Sequence, residues 1–316
     1  MEPSGQYTHH DAHEYPHSAL ILLTGATGST GSRLLERLLG AGEEVRCLVR
    51  EPRGLGSKRV DVQITMGDLR ELDDPYLLRQ AMRGVDTVIH LAASIRDQPP
   101  YRVEELNGLA TVRLVQAAER AGVKRFVYFS ALNASPVQRT RFFRSKWAGE
   151  QAVRSSSMES LTFRPSIVFD RSDPWVTLMK RFSFLPVMPV SGDGTSEYQP
   201  IWADDAAASV MAALESDSSG SGGARSWNLA GPEQLTYSQM SSLVARIAGR
   251  PRPLWHAPLT VVHLGLSTLY RVFGEASFAT WQEAELLQVS MTSPDGSSDV
   301  ESLGINPRRM AQVLET

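Results

Sequence analysis

Apolar and polar positions recur along the first half of the chain with two alternating periods. Residues 19–23 (ALILL) form a short unbroken apolar run, as in a strand buried on both faces. Leu34, Leu35, Leu38 and Leu39 then recur at helical spacing, and Gly40 and Gly42 end that helix. A second apolar run at 45–49 completes a β-α-β unit, which implies parallel strands and a right-handed crossover. The same rhythm predicts further strands over 62–66, 87–91, 125–130 and 160–163. Helices are predicted over 75–82, 104–121 and 143–155. Strand and helix in alternation predict an α/β fold with a doubly wound parallel sheet covered on both faces.

The rhythm weakens after residue 170. The run DRSDPWVTLMKRFSFLPVMPVSGDG concentrates Pro, Trp, Phe and Met, and 217–225 (DSSGSGGAR) has the composition of a flexible surface loop. Two more helices are predicted, over 237–248 and 259–273. The second is apolar, too short for a bilayer span, and interrupted by His263 and Arg271. It is expected to be buried in a lobe, with a surface-seeking amphipathic helix as the alternative. The domains that follow are a disordered tail over 1–18, a core over 19–170, and a small mixed C-terminal lobe over 171–316 whose chain crosses back to the core.

Charge and composition narrow the classes. The net charge is -3 and no basic stripe is present, which argues against a nucleic-acid partner. Cys47 is the single cysteine and alternates with Val45 and Val49, so it reads as a packed core thiol. That usage suits a reducing compartment, and a cytoplasmic location is expected. The first 18 residues lack the apolar core of a signal peptide. His9, His10, His13 and His17 crowd this tail without the Cys or carboxylate pattern of a metal site. No transmembrane span is predicted, and peripheral membrane contact stays open.

The chemistry begins at TGATGSTG, Thr24 to Gly31. Gly25 permits a tight turn out of the strand, Gly28 lets backbone approach a pyrophosphate, and Gly31 lets the helix pack close to the sheet. Thr24, Thr27, Ser29 and Thr30 complete a loop ending at a helix N-terminus, where free N–H groups and the positive dipole end favour phosphate. At the end of the second strand Arg50 stands where an acid would contact ribose hydroxyls. A guanidinium suits a 2′-phosphate, so NADP(H) is favoured over NAD(H), with Arg33 available to assist.

TGATGSTG resembles the glycine motif of the extended and atypical short-chain dehydrogenase/reductases, and the likeness runs from about Leu20 to Leu314. It implies a Rossmann-type sheet. GDL at 67–69 resembles the segment that meets adenine, which points to Asp68 and Leu69. HLAAS at 90–94 resembles the adenosine and ribose lining, which points to Leu91, Ala92, Ala93 and Ser94. FRPSIVF at 163–169 resembles the segment facing the nicotinamide, which points to Pro165 and Ile167. FSALNAS, RSKWAGEQAV and LPVMPVSGDGTSEYQPIWADDAA resemble the atypical group that contains the NADPH-binding accessory subunit of respiratory complex I.

In that family Ser, Tyr and Lys act together, and matching by position gives Ser130, Phe142 and Lys146. A phenyl ring cannot donate a proton, so the usual mechanism lacks its acid. Three readings follow: Lys146 still holds the ribose while another acid serves (Tyr101, Asp170 or Tyr198); the site binds NADP(H) without turnover; or the register of the match is shifted, against which stand Lys146, the Gly149–Glu150 pair and the lack of a nearby Tyr. Ser130 is equally readable as a strand-end hydroxyl, and Asn107 as a helix-bending group or a plain turn residue. The large apolar side chains between Pro174 and Pro189 suggest a pocket wall for an apolar ligand rather than a sugar nucleotide. Two functions remain open: a reductase acting on an apolar small molecule, and a non-catalytic NADPH-binding accessory, assembly or redox-sensing protein with a protein partner.

Overall fold

The computed structural model describes residues 19–216, 223–273 and 280–315. The expected disordered tail over 1–18 and most of the expected loop over 217–225 lie outside the described residues. In chain order the core contains β1 (Leu20–Thr24), α1 (Ser29–Gly40), β2 (Glu44–Val49), β3 (Gln63–Met66), α2 (Pro75–Met82) and β4 (Val85–His90). It continues with α3 (Ala110–Ala121), β5 (Arg125–Phe129), α4 (Arg141–Arg154) and β6 (Glu159–Pro165). The remainder comprises β7 (Val168–Phe169), α5 (Pro174–Phe182), β8 (Met188–Ser191), β9 (Glu197–Tyr198), β10 (Ile201–Trp202), α6 (Ala203–Ser216) and β11 (Ala224–Leu229). Then follow β12 (Leu235–Thr236), α7 (Tyr237–Ile247), β13 (Leu254–Ala257), α8 (Leu259–Phe273), α9 (Trp281–Leu286), α10 (Ser298–Ser302) and α11 (Met310–Glu315).

Seven parallel strands form the central sheet in the order β11-β6-β5-β4-β1-β2-β3. This is the doubly wound Rossmann arrangement, with its order reversing between β1 and β4. One face buries Leu34, Leu35 and Leu38 of α1 with Ala206, Ala207, Val210 and Ala213 of α6. The other buries Leu77 and Leu78 of α2 with Leu114 and Val115 of α3. Cys47 sits inside the first cluster, and burial pushes its thiol up to about 12. It is therefore a packing group at neutral pH. The lobe has its own core, in which Phe169, Met179, Met188, Tyr198, Tyr237, Met240 and Val313 meet.

The helix expected over 104–121 is present and continuous, with a wide π-type turn at Glu105–Leu109 leading into α3. Three expectations need correction. Ala224 and Arg225, expected in a loop, begin β11, whose partner is β6. The helix at 259–273 is not buried: Leu259, Val261, Leu264 and Tyr270 are exposed. The apolar run between Pro174 and Pro189 divides, with Val176, Met179 and Met188 buried but Phe184, Leu185 and Val187 exposed at the surface. No helix among the described residues is long and apolar enough to cross a membrane.

Candidate cofactor site

The chain leaves β1 at Thr24 and must turn at once. Gly25 does so at φ +77°, and a Cβ there would lie 2.6 Å from the Ala92 backbone nitrogen. A Cβ on Gly31 would lie 2.0 Å from the Gly25 carbonyl oxygen, so α1 can approach the turn only with glycine at that position. A Cβ on Gly28 would only touch the Gly25 carbonyl oxygen, at 3.4 Å. Gly28 caps α1 with no side-chain hydrogen bond, which leaves the first-turn N–H groups to a ligand or water. The strands and loops around this turn enclose a cavity of about 230 Å³.

Thr24, Gly25, Thr27, Gly28, Arg50, Asp68, Leu91, Ala92, Ala93 and Ser94 line that cavity. The same cavity is lined by Gln98 and Leu106, for which the sequence carries no signal, since both lie in irregular or distorted backbone. Ser29, Thr30 and Gly31 stand outside it in the first turn of α1. Leu69 opens a short 3-10 turn after Asp68, and its side chain lies outside the described set. Pro165 and Ile167 lie at the end of β6, tied by Leu132 N–H to the Pro165 carbonyl and Ile201 N–H to the Ile167 carbonyl.

The charges around the cavity are organised. Burial raises the Asp68 carboxyl, but hydrogen bonds from the Arg70 guanidinium (2.8 Å) and Arg70 N–H (3.0 Å) outweigh it and hold the group low. Arg50 reaches Asp68 only loosely, at 3.8 Å, and stays 63% exposed beside the cavity. Arg33 is engaged elsewhere: it grips Asp170 with three hydrogen bonds of 2.8–3.1 Å. It is therefore a clamp between α1 and the chain entering the lobe, and does not assist Arg50.

A buried polar chain underlies the turn. The Thr111 hydroxyl donates to the Asn107 carbonyl at 2.6 Å, so it must accept from His90 Nε2 at 3.0 Å. His90 Nδ1 is then the acceptor for the Thr24 hydroxyl at 2.7 Å. His90 is neutral, because burial, with the Lys146 charge adding to it, lowers its pKa to about 3. Asn107 is a staple: its Oδ1 accepts from Ser94 N–H and its Nδ2 donates to the Ser94 carbonyl, both at 2.8 Å.

Lys146 lies on α4 one turn after Phe142, buried, with Nζ 4.6 Å from the centre of the Tyr128 ring. Among the described residues no carboxylate is within ion-pair distance of it. Burial lowers its pKa to about 7, with Glu150 pulling weakly upward. Ser130 follows β5, two residues beyond Tyr128, and its buried Oγ has no hydrogen-bond partner. Phe142 packs edge-on against Phe143 at 5.4 Å. Two of the substitute acids are spoken for. Asp170 is bound by Arg33, and Tyr198, 1% exposed in the lobe core, donates to the Leu287 carbonyl. Tyr101 stands near Arg70, at the Asp68 end of the cavity. The glycine turn, uncapped helix and orphaned buried hydroxyl fit a bound dinucleotide.

Residues 25–181 match the family described as NAD(P)H-binding. The chain is 29% identical over 236 residues to the mitochondrial NADH dehydrogenase (ubiquinone) 1 alpha subcomplex subunit 9 of Arabidopsis thaliana, covering 70% of this chain and 56% of that protein. It thus spans little more than half of that relative. It is 31% identical over 195 residues to ceramide reductase of Caulobacter vibrioides, covering 61% and 60% of the two chains. The structure of Thermus thermophilus UDP-glucose 4-epimerase with NAD superposes with a TM-score of 0.68 at 20% identity, over 94% of this chain and 96% of that one. That last likeness is one of fold.

Proposed function

We propose that this chain, whose residues 25–181 match the NAD(P)H-binding family, is an atypical short-chain dehydrogenase/reductase that binds NADP(H) and holds it without turning over ordinary carbonyl substrates. Its role is then that of an accessory, assembly or redox-sensing protein with a protein partner. The observation that carries this reading is Phe142 in the place of the acid, with Asp170 and Tyr198 committed elsewhere and Tyr101 standing near Arg70 at the Asp68 end of the cavity. In this assignment the first turn of α1 faces the pyrophosphate, Asp68 and Leu91–Ser94 the adenosine, and Arg50 a 2′-phosphate. Lys146, Pro165 and Ile167 face the nicotinamide end.

A second reading, a reductase of an apolar small molecule, is favoured by the pair Lys146 and Ser130. NADP(H) supplies a hydride when bound. Here the orphaned Ser130 hydroxyl donates to the substrate oxygen, and Lys146, poised near neutrality, delivers the proton that the phenyl ring cannot. The similarity to a ceramide reductase supports an apolar substrate.

Titration with NADPH and NADH, followed by nicotinamide fluorescence, tests the binding step. Micromolar NADPH binding with clearly weaker NADH is expected, and Arg50→Ala should erase that preference. Turnover over apolar and polar carbonyl compounds separates the two readings. Under the first, the native chain is inert and Phe142→Tyr creates activity; under the second, the native chain already oxidises NADPH with an apolar carbonyl and Lys146→Met abolishes it. A general acid typically contributes about 10²–10⁴-fold, which sets the expected scale. Binding of neither nucleotide overturns both.

A further inference from the structure

Two stretches of the lobe concentrate exposed apolar side chains. Phe184 (65%), Leu185 (45%) and Val187 (41%) are exposed before β8. Trp255 (50%), Leu259 (37%), Val261 (51%), Leu264 (70%) and Tyr270 (36%) are exposed along β13 and α8. Soluble surfaces carry single apolar groups, but a concentration of this kind marks a contact. The stretches are tied in space. β8 and β13 are paired in parallel, with Leu254 opposite Met188 and Trp255 opposite Pro189. The Arg250 guanidinium lies 4.1 Å over the Phe184 ring, and α8 follows β13 after a single residue.

Their charge is equally one-sided. Residues 174–191 and 246–273 contain Lys180, Arg181, Arg246, Arg250, Arg252 and Arg271 and no Asp or Glu, in a chain whose net charge is -3. Arg181, Arg246, Arg250, Arg252 and Arg271 are exposed. Among the described residues none of these six cations pairs with a carboxylate. Aromatic and aliphatic groups set among unpaired cations match the boundary of an anionic bilayer, where apolar tips enter the acyl edge and cations meet headgroups. A second copy of the chain fits poorly, because a two-fold contact would set the same acid-free cations against each other. We propose that the face formed by Phe184–Val187, Trp255 and α8 docks on an anionic membrane surface.

The face adjoins the cofactor cleft. His263 of α8 packs edge-on against Trp281 at 4.6 Å. On α9, Gln282 donates to Asp97 and Glu283 pairs with Arg96, in the loop that follows Ser94. The inference does not depend on nucleotide binding, which is read separately.

The test is flotation of the full chain with phosphatidylcholine vesicles, with and without phosphatidylglycerol as about a third of the lipid. Co-flotation is expected with the anionic vesicles and little with the neutral ones. It should fall as salt rises from about 0.1 to 1 M, where the screening length shrinks from roughly 10 to 3 Å. Arg250→Glu should weaken binding by roughly fivefold or more, the scale of one interfacial cation. Leu264→Glu should weaken it further, while NADPH affinity and melting temperature stay unchanged. A blue shift of tryptophan emission on vesicle addition should shrink in Trp255→Phe. Absence of co-flotation with anionic vesicles overturns the proposal. So does a concentration-dependent dimer in sedimentation that Leu264→Glu dissolves, which would give the face to a second copy.

Discussion

Lys146 has been removed from water without gaining a carboxylate, and its pKa has dropped from its ordinary 10.5 to about 7. Between those values the unfolded chain holds a proton that the folded chain lacks, so stability rises with pH across the window and is lost as pH falls toward 7. Lys146→Met should flatten that slope in melts taken from pH 7 to 10. It should also raise the melting temperature at pH 7 by about 2–4 °C, the shift that 1 kcal/mol gives a domain of this class. The same variant should bind NADPH about tenfold more weakly, as expected for losing a charged hydrogen bond. Both outcomes together would mark Lys146 as a side chain kept for a ligand at a cost in stability. His90 has the same sign in another range. With a folded pKa of about 3 against an unfolded 6.5, it withdraws stability as pH falls below 6.5. His90→Gln should move the acid-unfolding midpoint to lower pH, measured by circular dichroism.

At the scale of elements, the glycine turn is the most exacting contact. Gly31→Ala would drive a methyl into the Gly25 carbonyl, so α1 must shift away from β1. Loss of nucleotide binding and a destabilisation of about 1–3 kcal/mol, the range for an overpacked core, are expected by titration and urea melts. Elements of this kind were legible in the sequence because their pattern and their punctuation agree. The helix bounds at Pro75–Met82 and Leu259–Phe273 were readable to the residue, each opened at or just after a Pro. The rest was hidden for physical reasons. α6 buries a face built of alanines, which gives a weak apolar signal, and its packing on α1 needs tertiary information. β11 (ARSWNL) is an edge strand with polar residues next to a Gly/Ser run, so composition pointed to a loop. α8 shows that a period specifies a helix but not what covers it. At the candidate site, Gly25 and Gly31 were visible by spacing, and Lys146 through the resemblance of its segment to the family. The Asn107 staple and the His90 bridge were not, because they join residues through the fold and not along the chain.

At the scale of the molecule, the cofactor core and the lobe are not consecutive pieces. α6 covers α1, and β11 completes the sheet against β6, after the chain has already built part of the lobe. A fragment ending at residue 170 would leave Leu34 and Leu38 facing water and β6 with a bare edge. It should be insoluble or fail to bind NADPH, whereas the full chain should melt in one transition by calorimetry. The order of synthesis gives this arrangement a further consequence. The glycine turn leaves the ribosome about 200 residues before Leu229, which at roughly 5–20 residues per second is a wait of about 10–40 s. From the emergence of Leu106 until Leu229 follows, the nascent chain carries the full cavity lining on an unfinished sheet, and its open edge is available to chaperones or to a neighbouring nascent chain.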